Sequence, residues 1–161
     1  MNDYLLKTLN GFLGRASKAT YAGGGGETES WRTGFKELEY RERDLYYRDS
    51  YSGFLRSWGQ EVVWQNDKPV WSCLYGGGMT NKHLDSEFAE KTFSFLKNAL
   101  SAGDKESAFQ PRGPKELSDG DWQYECMVEG NIDKFSGHES ISYNGEVVFT
   151  HDFFGGLVIT N

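Results

Sequence analysis

Two stretches, "VVWQNDKPVW" (Val62–Trp71) and "SISYNGEVVF" (Ser140–Phe149), limit the fold more than any other feature of this chain. Each places a pair of turn-forming residues, Asn66-Asp67 or Asn144-Gly145, between arms rich in β-branched and aromatic side chains. A two-residue link can join only antiparallel neighbours, because a parallel pair needs a crossover of a dozen or more residues. Asn-Gly is the strongest short hairpin signal, since both turn positions need positive φ. Pro69 cannot donate a ladder hydrogen bond, so the first hairpin is expected at a sheet edge, or with Pro69 beside the turn.

Around these hairpins the pattern stays mostly strand-like. In "DLYYRDSYSG", Leu45, Tyr47, Asp49 and Tyr51 share one face, while Tyr46 and Arg48 share the other. "KELEYRE", "WSCLY", which stops at "GGGM", "DWQYECMVEG", "DKFSGHESISY" and "EVVFTHDFF" read as further strands. Two segments depart from this period. Leu5, Leu6, Leu9, Phe12, Leu13 and Ala16 recur at helical spacing, with Asn2 or Asp3 available as cap and the run Gly23–Gly26 as terminator. Leu84, Phe88, Thr92, Phe95, Leu96 and Ala99 form a second stripe, with Asp85 as N-cap and Gly103 as stop. The expected architecture is α+β: a single domain over residues 1–161 in which a curved antiparallel sheet of about six to eight strands is packed by an N-terminal helix and a central helix.

A chain of 161 residues can bury a core of its own. Seventeen basic against twenty-four acidic side chains leave a net charge of −7, without a basic run, so direct nucleic-acid binding is not expected. Neither a signal peptide nor an apolar run near the ~20 residues of a membrane span is visible. Cys73 and Cys126 lie far apart, without CxxC spacing, and read as buried free thiols of a cytoplasmic protein.

Familiar catalytic spacings are missing. "TYAGGGGETE" is preceded by a helix rather than a strand, lacks the lysine of a phosphate loop, and carries Glu27 and Glu29 where an anion would sit. It reads as a permissive joint, at most the rim of a pocket together with Gly76–Gly78. His83, His138 and His151 show no metal-ligand spacing, and no metal or cofactor is expected. No serine elbow occurs, and no catalytic residue can be named. A carboxylate held among aromatic rings would have a raised pKa and could act as acid or base, with Glu27 and Glu61 the better candidates. The density of aromatic residues exceeds what a small core needs, and aromatic walls with a few polar groups describe a small-molecule pocket. They equally describe cross-strand pairs that only stabilise a sheet. The residues assigned to a ligand site are Glu27, Tyr40, Arg41, Glu61, Trp64, Trp71, Tyr75 and Arg112.

Several stretches, taken in order, carry a resemblance: "ATYAGGGGETES", "ELEYRERDLYYRDSYSG", "GQEVVWQNDKPVWSCLYGG", "RGP" and "VEGNIDKFSGHESISYNGEVVFTHDFFGGLV". Together they resemble an uncharacterised bacterial family, domain of unknown function 5680. The resemblance implies a domain found alone or after an Xre-type helix-turn-helix, as the effector part of a regulator, with no residue role to carry over. The leading reading is a cytoplasmic small-molecule- or effector-binding module. The alternatives are a small carboxylate-dependent hydrolase or isomerase using Glu27 or Glu61, and an interaction domain, including a homodimer, that uses the aromatic hairpin edge.

Overall fold

A computed structural model describes residues 3–105 and 108–160. Its elements run in the order α1 (Asp3–Ala19), β1 (Glu27–Thr28), β2 (Phe35–Glu42), β3 (Leu45–Gly53), β4 (Arg56–Gln65), β5 (Lys68–Met79), α2 (Ser86–Ser101), β6 (Glu116–Asp119), β7 (Trp122–Asn131), β8 (Lys134–Tyr143) and β9 (Glu146–Leu157). Among the described residues, the nine strands form one antiparallel sheet in the order β1-β2-β3-β4-β5-β9-β8-β7-β6. Two meanders, β1–β5 and β6–β9, are thus joined by the pairing of β5 with β9, and α2 lies between them in the chain.

The α+β class and both helices match the sequence reading, but nine strands replace the expected six to eight. The additional pieces are short: β1 has two residues and β6 has four. Strands of that length have no readable period, and they form only because a longer neighbour offers its edge.

Both hairpin turns take the expected conformation. Asn66 and Asp67 have φ of 48° and 62°, and Asn144 and Gly145 have 51° and 78°, the positive pair that matches strand twist. The placement of the first hairpin needs correction. β4 and β5 lie in the interior of the sheet, so the hairpin is no edge, and an interaction reading based on that edge loses its surface. Pro69 is tolerated because it sits beside the turn, opposite Trp64, where the register slips between Val63 and Trp64.

The helices cover one face of the sheet. Leu9, Phe12 and Ala16 of α1 and Ala89, Phe95, Leu96, Ala99 and Leu100 of α2 join one core cluster with Tyr47, Val63, Trp71, Tyr124, Ile141 and Phe149 of the strands. Asp85 caps α2, its side chain accepting from Phe88 N at 2.8 Å. Leu84 precedes the helix and is exposed, so it leaves the predicted stripe. Of the two caps expected for α1, Asn2 lies outside the described residues. The glycine run is the turn off α1: Gly25 N donates to Thr20 O at 3.0 Å, and the chain then enters β1.

Phe12 is fully buried, with its ring 5.6 Å from that of Tyr40 on β2. Truncating it removes the main anchor of α1 on the sheet. Phe12→Ala should cost about 3–5 kcal/mol, read as a lower urea midpoint at unchanged slope.

Candidate functional site

The inner face of the sheet, expected to be apolar, carries a line of buried ionisable groups. Strand alternation puts Asp49 and Glu61 opposite one another on β3 and β4, and Glu139 opposite His151 on β8 and β9. Directly opposed carboxylates are unfavourable unless something neutralises them. Arg112, in the segment before β6, does part of this. Its Nε and Nη2 donate to Glu139 Oε1 at 2.9 and 2.6 Å, and its Nη1 lies 4.0 Å from Glu61. β4 and β8 are three strand spacings apart, roughly 14 Å if the sheet were flat. One guanidinium nevertheless approaches carboxylates on both.

Two close approaches build this arrangement. Tyr75 on β5 leans across β4 at Gly59, where an added Cβ would lie 2.4 Å from the ring, and its hydroxyl donates to Asp49 Oδ1 on β3 at 2.7 Å. Gly113 lets the Arg112 segment lie against Tyr124, whose ring would be 2.5 Å from a Cβ there. Gly113 N donates to Tyr124 Oη at 2.8 Å, and that hydroxyl donates to Glu139 Oε2 at 2.6 Å. Glu139 therefore has charge-assisted partners on both oxygens.

Between this polar floor and the helices lies a cavity of about 180 Å3. Its walls include Tyr47, Tyr51, Tyr21, Phe93, Leu96 and Phe149, and Lys36 and Lys97 stand exposed on its lining. Asp49, Glu61, Tyr75, Arg112 and His151 all reach it. His151 is 5% exposed, and its Nε2 has no hydrogen-bond partner among the described residues. Its Nδ1 lies 3.2 Å from Glu139 Oε1. Nδ1 also lies 3.4 Å from Arg112 Nη2, which can only donate. The shorter, charge-assisted contact to the Glu139 carboxylate favours a proton on Nδ1, which leaves Nε2 as the acceptor.

The protonation pattern follows from burial and neighbours. Burial raises Asp49 to about 8, helped by repulsion from Glu61 and opposed by Tyr75 and Arg112. Burial also raises Glu61, against the pull of Arg112 and the Tyr47 hydroxyl. Glu139 behaves oppositely: burial disfavours its charge, but Arg112 and His151 together hold it well below the usual carboxylate range. Burial keeps His151 neutral below its ordinary range, despite Glu139. Lys105, whose Nζ donates to Ser17 Oγ at 3.1 Å, is buried and lowered to about 8.

Of the eight residues assigned from sequence, Glu61, Tyr75 and Arg112 meet at this cavity. The other five do not. Trp71 belongs to the core, its ring 5.8 Å from that of Phe135 and its Nε1 donating to Ile132 O at 3.2 Å. Tyr40 packs on Phe12 and donates to Glu42 at 3.0 Å. Arg41 and Trp64 flank Tyr46 on the outer face, with Arg41 3.7 Å above the Tyr46 ring and Trp64 stacked at 5.3 Å. Glu27 is exposed on the edge strand β1, which removes it as a candidate base. Gly78 lines the cavity, and so do Thr20, Tyr21 and Ala22, so the first glycine run only follows the rim. Sequence reasoning missed Asp49 and His151 as site residues, although the alternation of β3 had placed Asp49 on the face of Tyr47. Glu139 had no signal of its own.

Cys73 and Cys126 are both free and buried. Burial pushes the Cys126 thiol up to about 11 and Cys73 higher than its ordinary value, as inert thiols require. Among the described residues, no group of three or more His, Cys, Asp or Glu side chains could hold a metal ion, and no helix is long and apolar enough to cross a membrane.

These opposed carboxyls give stability a definite pH dependence. Asp49 binds its proton more tightly when folded, so its contribution falls as pH rises from about 4 to about 8 and is flat outside that window. Glu139 binds its proton less tightly when folded, so its contribution is complete above the ordinary carboxylate range and is lost in acid. Urea melts across pH should show Asp49→Asn reducing the decline toward alkaline pH, with Glu61, also raised by burial, supplying what remains. Glu139→Gln strands a buried guanidinium and should cost about 3–5 kcal/mol at neutral pH.

No curated protein and no solved structure matches the chain. The family match runs over residues 49–158, a span that contains Asp49, Glu61, Tyr75, Arg112, Glu139 and His151 and leaves out α1 and β2. On this match the chain belongs to the family described as Domain of unknown function (DUF5680).

Proposed function

We propose that this chain is a small-molecule-binding module and that the cavity over Asp49 and His151 is its ligand site. The observation that carries this reading is the bare Nε2 of His151, buried without a partner at the wall of an aromatic-lined cavity. An unsatisfied buried polar atom costs about 1–3 kcal/mol, a cost that a bound donor would remove. About 180 Å3 is smaller than a drug-sized pocket and suits a ligand of one ring. The walls come from the end of α1, from α2 and from the sheet, so occupancy would be felt by both helices. That is the arrangement an effector-sensing domain of a cytoplasmic regulator would use. Its two buried thiols suit a reducing compartment.

A second reading, a small hydrolase or isomerase, has one specific observation in its favour. A neutral histidine oriented by a carboxylate faces the same cavity as a carboxyl whose pKa is raised to about 8, a base and an acid in one enclosure. Glu61 has the raised pKa that reading needs, and Glu27 does not take part. Turnover in a substrate screen that Asp49→Asn abolishes would favour it over simple binding.

Thermal-shift screening of metabolite classes tests the binding reading, since a ligand at about a hundred times its Kd adds about 2.7 kcal/mol. At least one class should raise Tm in a concentration-dependent way. Ser57→Trp, which fills the cavity from β4, should keep the unliganded Tm within a few degrees and lose the shift. If no compound of a broad screen stabilises the protein, the cavity is not a ligand site.

A further inference from the structure

Resting on the binding reading, the charge balance of the cavity floor indicates what the ligand is. Three carboxyl groups, Asp49, Glu61 and Glu139, are gathered there with two cationic side chains, Arg112 and Lys105. Arg112 is committed to Glu139 by two hydrogen bonds. Lys105 lines a small second pocket together with Tyr47 and Glu61, one that Asp49 does not reach. The floor is therefore short of one positive charge, and Asp49 is the carboxyl left without a cation. In the unliganded protein a proton fills that place, held with help from the Tyr75 hydroxyl.

A second observation points the same way. The unpartnered Nε2 of His151 is an acceptor when Nδ1 donates to Glu139 at 3.2 Å, the shorter of its two contacts, the other being Arg112 Nη2 at 3.4 Å. A ligand rich in N–H donors would satisfy it, whereas an anion has none to offer. Tyr21, Tyr51 and Tyr75 line the space, and two of these rings already carry cations of the protein, Lys97 over Tyr21 at 5.4 Å and Arg112 over Tyr75 at 5.2 Å, so aromatic rings of this wall do hold cations. Lys36 and Lys97 are exposed to solvent at the opening, where water screens them.

We propose that the cavity binds a small one-ring amine in its protonated form, its N–H groups donated to the Asp49 carboxylate and to His151 Nε2 and its ring lodged among Tyr21, Tyr51 and Tyr75. The volume of about 180 Å3 is close to that of cavities, about 150 Å3, that hold benzene. Binding displaces the proton of Asp49, so the cation and the proton compete for one place.

That competition sets the pH behaviour. The groups facing Asp49 are Glu61 on β4, Tyr75 on β5, His151 on β9 and Arg112 before β6, with Tyr51 on its own strand. Tyr21 and Lys97 face it from the helical side and Lys36 from β2. Burial raises the tyrosines and keeps His151 neutral, so Asp49 leads the titration, with Glu61, also raised, and Lys105, lowered to about 8, contributing beside it. Affinity for an amine should rise about tenfold per pH unit up to about pH 8 and then level off.

Calorimetry and thermal shift with benzylamine, benzyl alcohol and benzoate on the full chain test this. Benzylamine should stabilise the protein, more at pH 8 than at pH 6.5, and the neutral and anionic analogues should not. Titrations in buffers of different ionisation enthalpy should show close to one proton released per benzylamine bound at about pH 7. Asp49→Asn should lose both the affinity and its pH dependence, with the unliganded melt showing that the variant folds. Stabilisation by benzyl alcohol or benzoate in place of benzylamine overturns the amine assignment and leaves the binding reading standing. So does a hit of another chemical class in the broad screen while benzylamine gives no shift. Silence from every compound of that screen removes the binding reading, and the amine assignment with it.

Discussion

The buried pairing of Arg112 with Glu139 is the interaction on which the interior of this protein depends. It joins a loop without regular structure to the middle of β8, and it does so inside the core. A guanidinium placed there without its carboxylate would be among the most costly defects a fold can carry. With the carboxylate present, the same guanidinium becomes an organising centre. It leaves Glu139 ionised, Glu139 sets the tautomer of His151, and Tyr124 ties the loop backbone to the same oxygens. The cavity takes its polar floor from this chain of contacts and its apolar walls from the helices.

A floor of this kind is expensive in stability. Replacing such clusters by hydrophobic residues is often neutral or favourable in other folds, so a buried acid pair such as Asp49 and Glu61 is hard to account for as a stabilising device. Their cross-strand register makes them neighbours whether or not they are charged. The polar groups are also placed asymmetrically. Asp49, Glu61, Arg112 and His151 line the cavity, while Phe135 and Phe153 belong to the apolar core cluster.

Much of the fold was legible because strand and helix periods are local. The alternation of "DLYYRDSYSG" correctly set Tyr47 and Asp49 on one face, and both turns declared their antiparallel neighbours. Of the two placements that Pro69 allowed, the sheet edge failed and the position beside the turn held, for one physical reason. A proline needs only one unpaired backbone position, and a register slip beside a turn supplies it within the interior of a sheet. The short strands β1 and β6 escaped notice because they owe their conformation to a neighbour's edge rather than to their own residues.

The candidate site was legible only in part. Glu61, Tyr75 and Arg112 stood out as polar or aromatic residues at odd positions, and they meet at the cavity. Arg41, Trp64 and Tyr40 have the same chemistry, but strand parity or distance from the opening takes them elsewhere. By itself the sequence determined the fold class, the two helices, the hairpins and the absence of familiar catalytic spacings, since each depends on residues near in the chain. Tertiary structure alone decided that residues 49, 61, 112, 139 and 151 come together, because their union requires the pairing of β5 with β9 and an arginine that approaches carboxylates on both meanders. Long-range pairing carries no local period, and so the site could be seen only once the strands had been put in order.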